Sequence, residues 1–283
     1  MNLYDAHNHL QDDWLQPHLD PIAQDLAQVG LAAAVVNGTT PADWPQVSAL
    51  ARRFSWVVPS YGVHPWDSGN RPPDWREQLR TRLIAEPRAH VGEIGLDRWM
   101  IERAKPDDPR LAGLRRAPFA EQIEVFSGQL SLATELNRAA SIHCLEAWGA
   151  LADVLRGARR PAHGFLLHAY AGPAELVHPL ADLGAYFSFN GAFLDPKRTG
   201  ARAAFQVVPP DRLLVETDAP AMLLPRARSR FALPPACTGE SLNHPANIAA
   251  VYAGLADLLA QPVPDLAARV ETNFHHLFGS EKV

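Results

Sequence analysis

The chain of 283 residues has few cysteines, no long uncharged apolar run and no excess of basic residues. Its two cysteines, Cys144 and Cys237, are too few for a disulfide framework, so we expect a protein of the reducing cytoplasm. No stretch of about 18 apolar residues without charges is present, which predicts that nothing spans a membrane. The first ten residues contain no basic segment followed by an apolar one, so no secretory signal is expected.

The charge balance is slightly acidic, with a formal net charge of −5. This excludes a protein that holds nucleic acid mainly through a broad basic surface, although a phosphate can still be held locally. The hydrophobic share of 47% excludes a disordered chain and supports a large core. No linker interrupts the pattern, so we predict one domain over residues 1–283. No feature of the sequence indicates an obligate protein partner.

Short apolar, β-branched runs alternate with segments whose apolar residues recur about every 3.6 positions. This alternation favours parallel strands joined by right-handed helical crossovers, and eight such runs predict an α/β fold of the (β/α)8 TIM-barrel type. The alternative is an open doubly wound sheet, but no Gly-rich dinucleotide fingerprint follows any run. The predicted strands cover residues 2–8, 32–38, 56–63, 89–95, 139–144, 164–169, 184–190 and 212–217. The predicted helical segments cover residues 22–29, 75–84, 119–136, 148–155, 174–183, 201–207, 245–259 and 266–277.

Two connections are long, and both follow the carboxyl end of a predicted strand, where the active-site loops of such barrels lie. They cover residues 97–118 and 219–243. Long connections in a compact domain usually serve function. The first connection is rich in arginine and begins with Asp97 and Arg98, and the second contains Arg226, Arg228 and Arg230.

The first predicted strand ends in Asp5-Ala-His7-Asn-His9. Side chains at alternate positions of a strand point to one face, so these three polar groups converge near the mouth of the barrel. Two imidazoles with this spacing can chelate one divalent cation. An isolated pattern of this kind is more typical of ordinary core or surface histidines.

The pattern is not isolated, because imidazoles or carboxylates stand at the ends of four further predicted strands. A buried carboxylate or unpaired imidazole is costly unless it is paired or bound to a metal. Five strands that bring such groups to one end predict a two-metal site in which one carboxylate bridges, and the alternative is a hydrogen-bonded mouth without metal. The additional groups are Glu93, His143, His168, Glu216 and Asp218.

Three other polar residues are candidates for the same region. His64, in Gly62-Val-His64-Pro65 just past the third strand, is expected to lack a partner in the ligand set and to act as a proton donor or substrate contact. Asn190, at the end of the seventh strand, is a candidate to donate a hydrogen bond to the substrate or to accept one from it. His244 is a candidate to orient a metal-binding side chain from behind. The other histidines are expected to be ordinary residues, namely His18, His90, His163, His178, His275 and His276.

In order and spacing, these motifs resemble the TatD family of metal-dependent hydrolases over nearly the whole chain. The resemblance implies an amidohydrolase-like barrel with two divalent cations (Mg, Mn or Zn) that acts as a phosphodiesterase or deoxyribonuclease on a phosphodiester or a nucleic-acid end. Residues 271–279 look like the C-terminal helix of that family. The motifs are Asp5-Ala-His7-Asn-His9, Gly62-Val-His64-Pro, Gly92-Glu93-Ile-Gly-Leu-Asp97, Ser141-Ile-His143, Leu167-His168 and Glu216-Thr-Asp218-Ala-Pro.

Individual roles follow from the resemblance by position. It implies one metal held by His7, His9, Glu93 and Asp218, and a second held by Glu93, His143 and His168, with Glu93 bridging. Asp218 would also accept the proton of the attacking water, and His64 would protonate the leaving oxygen or bind a phosphate oxygen. We expect Asp5 to orient a ligand imidazole.

The chain departs from the family at one position. Members often carry arginine two residues after the strand-five histidine, where it contacts phosphate, whereas this chain has Leu145 followed by Glu146. In this chain Arg98, or the arginines of the second long connection, would have to contact the phosphate in place of that arginine. Three alternatives stay open: a PHP-type phosphoesterase, a binuclear amidohydrolase that cleaves carboxyl esters or amides, and a metal-binding barrel without catalysis.

Overall fold

Eight parallel strands form one sheet in the computed structural model, which describes residues 1–279. The strands follow one another in chain order, and each is paired in parallel with the next. They are β1 Leu3–Asn8, β2 Leu31–Asn37, β3 Val57–Tyr61, β4 His90–Asp97, β5 Ala140–Leu145, β6 Phe165–Leu167, β7 Ala185–Asn190 and β8 Leu213–Glu216. Each predicted strand coincides with an observed one to within a few residues, and the (β/α)8 barrel is confirmed.

The barrel closes where β8 returns to the side of β1. The Asp218 N–H donates to the carbonyl of His7 at 2.9 Å, and the His9 N–H donates to the carbonyl of Ala219 at 2.8 Å. These bonds join the carboxyl end of β1 to the residues just past β8, so they hold two of the predicted site segments side by side.

Ten α-helices lie in the described part of the chain, most of them in the connections between strands. They are α1 Leu19–Val29, α2 Trp44–Arg53, α3 Trp75–Ala85, α4 Trp99–Glu102, α5 Phe119–Glu135, α6 Trp148–Gly157, α7 Val177–Asp182, α8 Thr199–Phe205, α9 Ile248–Leu258 and α10 Val263–Phe278. None of those in residues 1–279 is long and apolar enough to cross a membrane.

Two helices lie where the sequence predicted none. In α2, Trp44, Val47 and Leu50 are buried on one face, and Pro45 stands in the first turn, where the missing N–H costs nothing. The short helix α4 and a 3-10 turn over Pro109–Leu111 occupy part of the long connection 97–118, which is therefore not irregular throughout. The four residues of α4 are too few to show a helical period, whereas the spacing of the buried residues of α2 was a signal that the sequence offered.

The strands are buried along almost their whole length, because helices cover the outer face of the sheet. The helix α1 shows the usual arrangement, with Leu19, Ile22 and Leu26 buried three and four positions apart. It ends at Gly30, whose φ of 82° is in the left-handed region that glycine adopts without a steric penalty. The C-terminal helix α10 packs on β1, where the rings of Phe274 and Tyr4 lie 4.9 Å apart.

His90, at the start of β4, gives the fold a measurable pH dependence. It is buried at the amino end of the barrel, where its Nδ1 accepts from the Ala139 N–H and its Nε2 lies 3.1 Å from the carbonyl of Phe278. Burial lowers the pKa of His90 to about 4, below its ordinary value of 6.5. The unfolded chain therefore binds a proton as pH falls through 6.5, whereas the folded chain stays neutral there until about pH 4. Acidification over this interval destabilises the fold.

We expect proton binding at His90 to lower the free energy of unfolding by about 2 kcal/mol when the pH falls from 7 to 5. Urea unfolding of the metal-free protein at both pH values measures it. In His90→Gln the free energy of unfolding should fall on acidification by about 2 kcal/mol less than in the parent protein. The matched control is His163→Gln, at an exposed histidine of the same end, which should keep the loss of the parent protein. Equal losses in the parent and in His90→Gln would contradict the assignment.

Candidate metal centre

Glu93, on β4, is the centre of the cluster that the strand ends form. It is 3% exposed, and its two carboxylate oxygens face different imidazoles. Its Oε2 lies 3.1 Å from His9 Nε2 and 3.5 Å from His7 Nε2. Its Oε1 lies 2.8 Å from His168 Nε2 and 3.0 Å from His143 Nδ1. The carboxylate thus stands between a pair of imidazoles from β1 and a pair from β5 and β6.

Asp218 lies on the β1 side of this cluster. Its Oδ1 is 3.4 Å from His9 Nε2 and 3.7 Å from His7 Nε2. Its φ is 51°, in the left-handed region, which aspartate and asparagine tolerate better than most residues. Because its backbone N–H is bound to the carbonyl of His7, the carboxylate is held beside the two β1 histidines.

The Gly-Glu-Ile-Gly sequence of β4 lets Glu93 reach the middle of the barrel. A Cβ at Gly92 would lie 2.7 Å from both Asn37 Oδ1 and Ser141 Cβ, so any side chain there would collide with the neighbouring strands. Gly95 has a φ of 143°, and a Cβ there would lie 2.0 Å from the carbonyl oxygen of His143. Both glycines are therefore required by close packing around Glu93.

Outer partners fix the orientation of the β1 imidazoles. His7 Nδ1 lies 2.8 Å from Ser141 Oγ, and His9 Nδ1 lies 2.8 Å from the carbonyl of Asn37. A carbonyl only accepts, so His9 carries a hydrogen on Nδ1, and when the ring is neutral its Nε2 presents a lone pair to the cluster. This outer hydrogen bond is the usual arrangement of a histidine that binds a metal.

Carboxylates orient the other two imidazoles. His143 Nε2 lies 3.4 Å from Asp97 Oδ2, and the same oxygen accepts a hydrogen bond of 2.6 Å from Trp66 Nε1. His168 Nδ1 lies 3.7 Å from Glu216 Oε1. Both carboxylates are fully buried. The sequence placed Glu216 among the polar groups at the strand ends without a role of its own, and it indicated no role for Asp97, although that residue also stands at the end of its strand.

The charges within the cluster stabilise one another. Burial by itself would raise the pKa of Glu93, but the imidazoles of His64, His168 and His143 outweigh it and hold that pKa well below its usual range. The pKa of Asp218 is likewise lowered, because the hydrogen bond to His9 and the charges of neighbouring histidines outweigh its burial. Both carboxylates are therefore ionised at neutral pH.

The imidazoles fall into two groups. Burial opposes a positive charge on each of these rings. For three of them the nearby carboxylates outweigh burial: the pKa values of His9 and His168 are raised well above 6.5, and that of His143 is raised to about 9. For His7 and His64 burial prevails, and the pKa is lowered. All five rings face carboxylate oxygens, so the two groups differ in whether the hydrogen bonds and charges of those carboxylates outweigh burial.

The donor set fits divalent cations. When His9 is neutral, the lone pair of its Nε2 faces carboxylate oxygens of Glu93 and Asp218 at 3.1 and 3.4 Å, an arrangement that repels unless a cation lies between them. Imidazole and carboxylate are ligands that Zn and Mn accept readily. Three groups in residues 1–279 bring ligand atoms within 4.8 Å of one another: His7, Glu93 and His168; His7, His9 and Asp218; and His64, Glu93 and His143.

The expectation that His64 lacks a partner in the ligand set is wrong. Its Nε2 lies 3.4 Å from Glu93 Oε1, and its ring is 4.6 Å from that of His143. Its Nδ1 accepts from the Trp66 N–H at 3.2 Å, which leaves Nε2 as the atom that faces the cluster. The turn after β3 therefore brings His64 closer to Glu93 than its position past the strand end indicated.

The expectation that Asp5 orients an imidazole is also wrong. Its Oδ1 accepts from the backbone N–H groups of Thr217 at 3.0 Å and His7 at 3.2 Å, and its Oδ2 accepts from Asn8 Nδ2 at 3.1 Å. Asp5 therefore joins the backbones of β1 and β8 rather than a histidine ring. It positions the ligands indirectly, by fixing the strands that carry them.

Asn190 does not face the mouth. It is fully buried, its Nδ2 donates to Glu216 Oε1 at 3.1 Å, and its Oδ1 accepts from the Ala192 N–H at 2.9 Å. Glu216 also accepts from the hydroxyl of Ser188. With both ends of its amide engaged, Asn190 supports the carboxylate behind His168 instead of offering a contact to substrate.

The other candidates lie away from the cluster. The guanidinium of Arg98 lies over the ring of Phe119 at 4.4 Å and 3.6 Å from Glu102. His244 pairs with Asp25 at 3.3 Å. The side chain of Arg228 pairs with Asp257 at 3.1 Å, and Leu145 is 37% exposed at the end of β5. The structure therefore brings six predicted ligands and His64 together, and it does not bring Arg98 or His244 to them.

Comparisons with known proteins agree over the whole barrel. A family model described as TatD related DNase matches residues 4–279. The chain is 28% identical to the "3'-5' ssDNA/RNA exonuclease TatD" of Klebsiella pneumoniae, over 92% of this chain and 91% of that protein. It is 29% identical to the "uncharacterized metal-dependent hydrolase YcfH" of Escherichia coli, over 98% and 96%. Among solved structures, the TatD homologue YjjV of E. coli superposes with a TM-score of 0.83 at 26% identity, over 98% of both chains.

Proposed function

The chain belongs to the TatD-related DNase family, and we propose that it is a divalent-metal-dependent phosphodiesterase that acts on single-stranded nucleic-acid ends. The observation that carries the proposal is Glu93, whose two oxygens face separate imidazole pairs within 3.5 Å. A carboxylate so placed is suited to bridge two cations. The K. pneumoniae relative is named for exonuclease action on single-stranded DNA and RNA, and this supports the choice of substrate.

We assign the metal ligands as the family resemblance implies. His7, His9, Glu93 and Asp218 would hold one cation, and Glu93, His143 and His168 would hold the other. The metal is Mg, Mn or Zn, and the number of histidines favours a transition metal. When bound, the cations lower the pKa of a water and neutralise charge on the scissile phosphoryl group.

The protein side chains supply the proton transfers. Asp218 is ionised, is 9% exposed and lies at the mouth, so it accepts the proton of the attacking water. His64 lies on the opposite side of Glu93, 3.4 Å from Oε1, and its lowered pKa leaves the ring neutral, so its Nε2 can donate a hydrogen bond to a phosphate oxygen. Asp97 and Glu216 hold the rings of His143 and His168 in place from behind.

Removal and return of metal tests the proposal. The protein is stripped with a chelator and reconstituted with Mg²⁺, Mn²⁺ or Zn²⁺. It is then assayed on end-labelled single-stranded DNA and RNA, on bis-p-nitrophenyl phosphate and on p-nitrophenyl acetate. We expect no hydrolysis by the stripped protein and phosphodiester hydrolysis after reconstitution, because the water is activated only beside a cation. The expected metal content is two equivalents per chain.

Other results of the reconstitution assay would favour one of the alternative functions. Activity on the carboxyl ester alone would overturn the nucleic-acid assignment in favour of an amidohydrolase-like reaction. Bound metal with no hydrolysis of any substrate would favour a barrel without catalysis. Undiminished hydrolysis by the stripped protein would show that the cluster is not a metal centre.

A further inference from the structure

A cavity of about 480 Å³ opens in the loop that follows β4. Its size is within the range of pockets that hold small ligands, roughly 300–1,000 Å³. None of the motifs that led to the metal centre includes it. It is lined by Trp99, Arg103, Ala104, Lys105, Asp107, Asp108 and Pro109.

A short chain of contacts joins this cavity to the metal centre. The ring of Trp99 lies 6.2 Å from that of Trp66. Trp66 Nε1 donates to Asp97 Oδ2 at 2.6 Å, and the same oxygen lies 3.4 Å from His143 Nε2. Two side chains, Trp66 and Asp97, thus separate the cavity wall at Trp99 from the predicted metal ligand His143, on the same end of the barrel. A strand whose phosphate reaches the cluster would bring an adjoining nucleoside near Trp99.

The lining combines an aromatic ring with cations. Trp99 is half-buried, and the guanidinium of Arg110 lies 4.4 Å from its ring centroid. Arg110 is itself paired with Asp108 at 2.7 Å. Arg103 is exposed and 3.5 Å from Glu146, and Lys105 is exposed. Three cations, Arg103, Lys105 and Arg110, stand here with three carboxylates, Asp107, Asp108 and Glu146, of which Asp108 pairs with Arg110 and Glu146 with Arg103.

The loop is held in shape before any ligand arrives. Arg116 Nη1 donates to the carbonyls of Met100 at 3.2 Å and Ala104 at 2.9 Å, and its Nη2 donates to that of Lys105. The Met100 N–H donates to Asp97 Oδ1 at 2.9 Å, which joins the loop to the carboxylate behind His143. Preformed loops of this kind lose little conformational freedom on binding.

We infer that this cavity is a nucleoside subsite, in which a base stacks on Trp99 and a flanking phosphate is bound by Arg103 and Lys105. The inference rests on the proposed nucleic-acid function and names the part of the substrate next to the scissile bond. Aromatic rings beside arginine and lysine are the usual means of holding single strands without sequence preference. Arg103 and Lys105 would also offer phosphate-binding cations in a chain that has Leu145 where members of the family often carry arginine.

Substitution of Trp99 tests the stacking. In Trp99→Ala the KM for a single-stranded DNA ten nucleotides long should rise about tenfold with little change in kcat, since one stacked base is lost. Trp99→Phe should recover most of the affinity. For methyl p-nitrophenyl phosphate, which has no nucleoside to stack, the kinetics should not change. The matched control is Trp56→Ala, at a half-buried tryptophan before β3 at the other end of the barrel.

The double variant Arg103→Ala/Lys105→Ala tests the phosphate contact. Its KM for the oligonucleotide should depend less steeply on salt than that of the parent protein, by about one phosphate contact in the logarithmic slope. An unchanged KM in Trp99→Ala, or an equal change on both substrates, would overturn the subsite. Failure of the reconstituted parent protein to cleave any phosphodiester is a different result, and it would overturn the proposed function itself.

Discussion

Glutamine in place of Glu93 is expected to lower kcat/KM for phosphodiesters by at least about a thousandfold, the scale seen when one charge-stabilising group is removed from a catalytic site. The amide keeps the shape of the side chain but carries no charge. It also presents an NH2 group to imidazoles that now face the carboxylate at 2.8 to 3.5 Å. A neutral amide bridges two cations poorly, so the bound metal should fall below two equivalents per chain.

Two measurements on Glu93→Gln separate lost metal from lost folding. Metal content by mass spectrometry should fall together with activity, while the circular dichroism spectrum should remain that of the parent protein. The matched control is Glu175→Gln, at an exposed glutamate of the loop after β6, which should keep both metal and activity. A Glu93→Gln variant with two bound metals and full activity would refute the bridging role and the proposed mechanism with it.

Asparagine in place of Asp218 is expected to lower kcat by about 100- to 10,000-fold, the usual contribution of a positioned proton acceptor. Asparagine is the informative substitution, because the φ of 51° at this position is one that asparagine adopts readily and alanine does not. The backbone bond to the carbonyl of His7 is therefore preserved. The amide cannot accept the proton of the attacking water, and it remains a weak oxygen ligand.

The metal content of Asp218→Asn distinguishes the two roles assigned to this residue. Retention of metal with lost kcat would show that Asp218 acts mainly as the proton acceptor, whereas loss of one equivalent would show that it acts mainly as a ligand. The matched control is Asp13→Asn, at an exposed aspartate of the loop after β1. Undiminished kcat in Asp218→Asn would contradict both roles.

Much of the metal centre was predictable because a strand has a simple period. Alternate residues of β1 share a face, so His7 and His9 had to point together once the run was identified as a strand. The carboxyl ends of parallel strands meet at one end of a barrel, which brought Glu93, His143 and His168 to the same place. The structure differed from the sequence predictions at residues whose contacts do not follow from the period of a strand. The turn after β3 decided the position of His64, and the hydrogen bonds of Asp5 and Asn190 depend on which strands are neighbours.

The sequence by itself determined the order of strands and helices, the end of the barrel that carries polar groups, and the family. These follow from local periodicity and from motifs within single segments. Only the tertiary structure decided that Asp97 and Glu216 stand behind the imidazoles, that Asn190 is enclosed, and that Trp66 joins the metal centre to the cavity at Trp99. Each of these contacts joins segments that are distant in the chain, and their distances depend on how the barrel closes and how its loops pack.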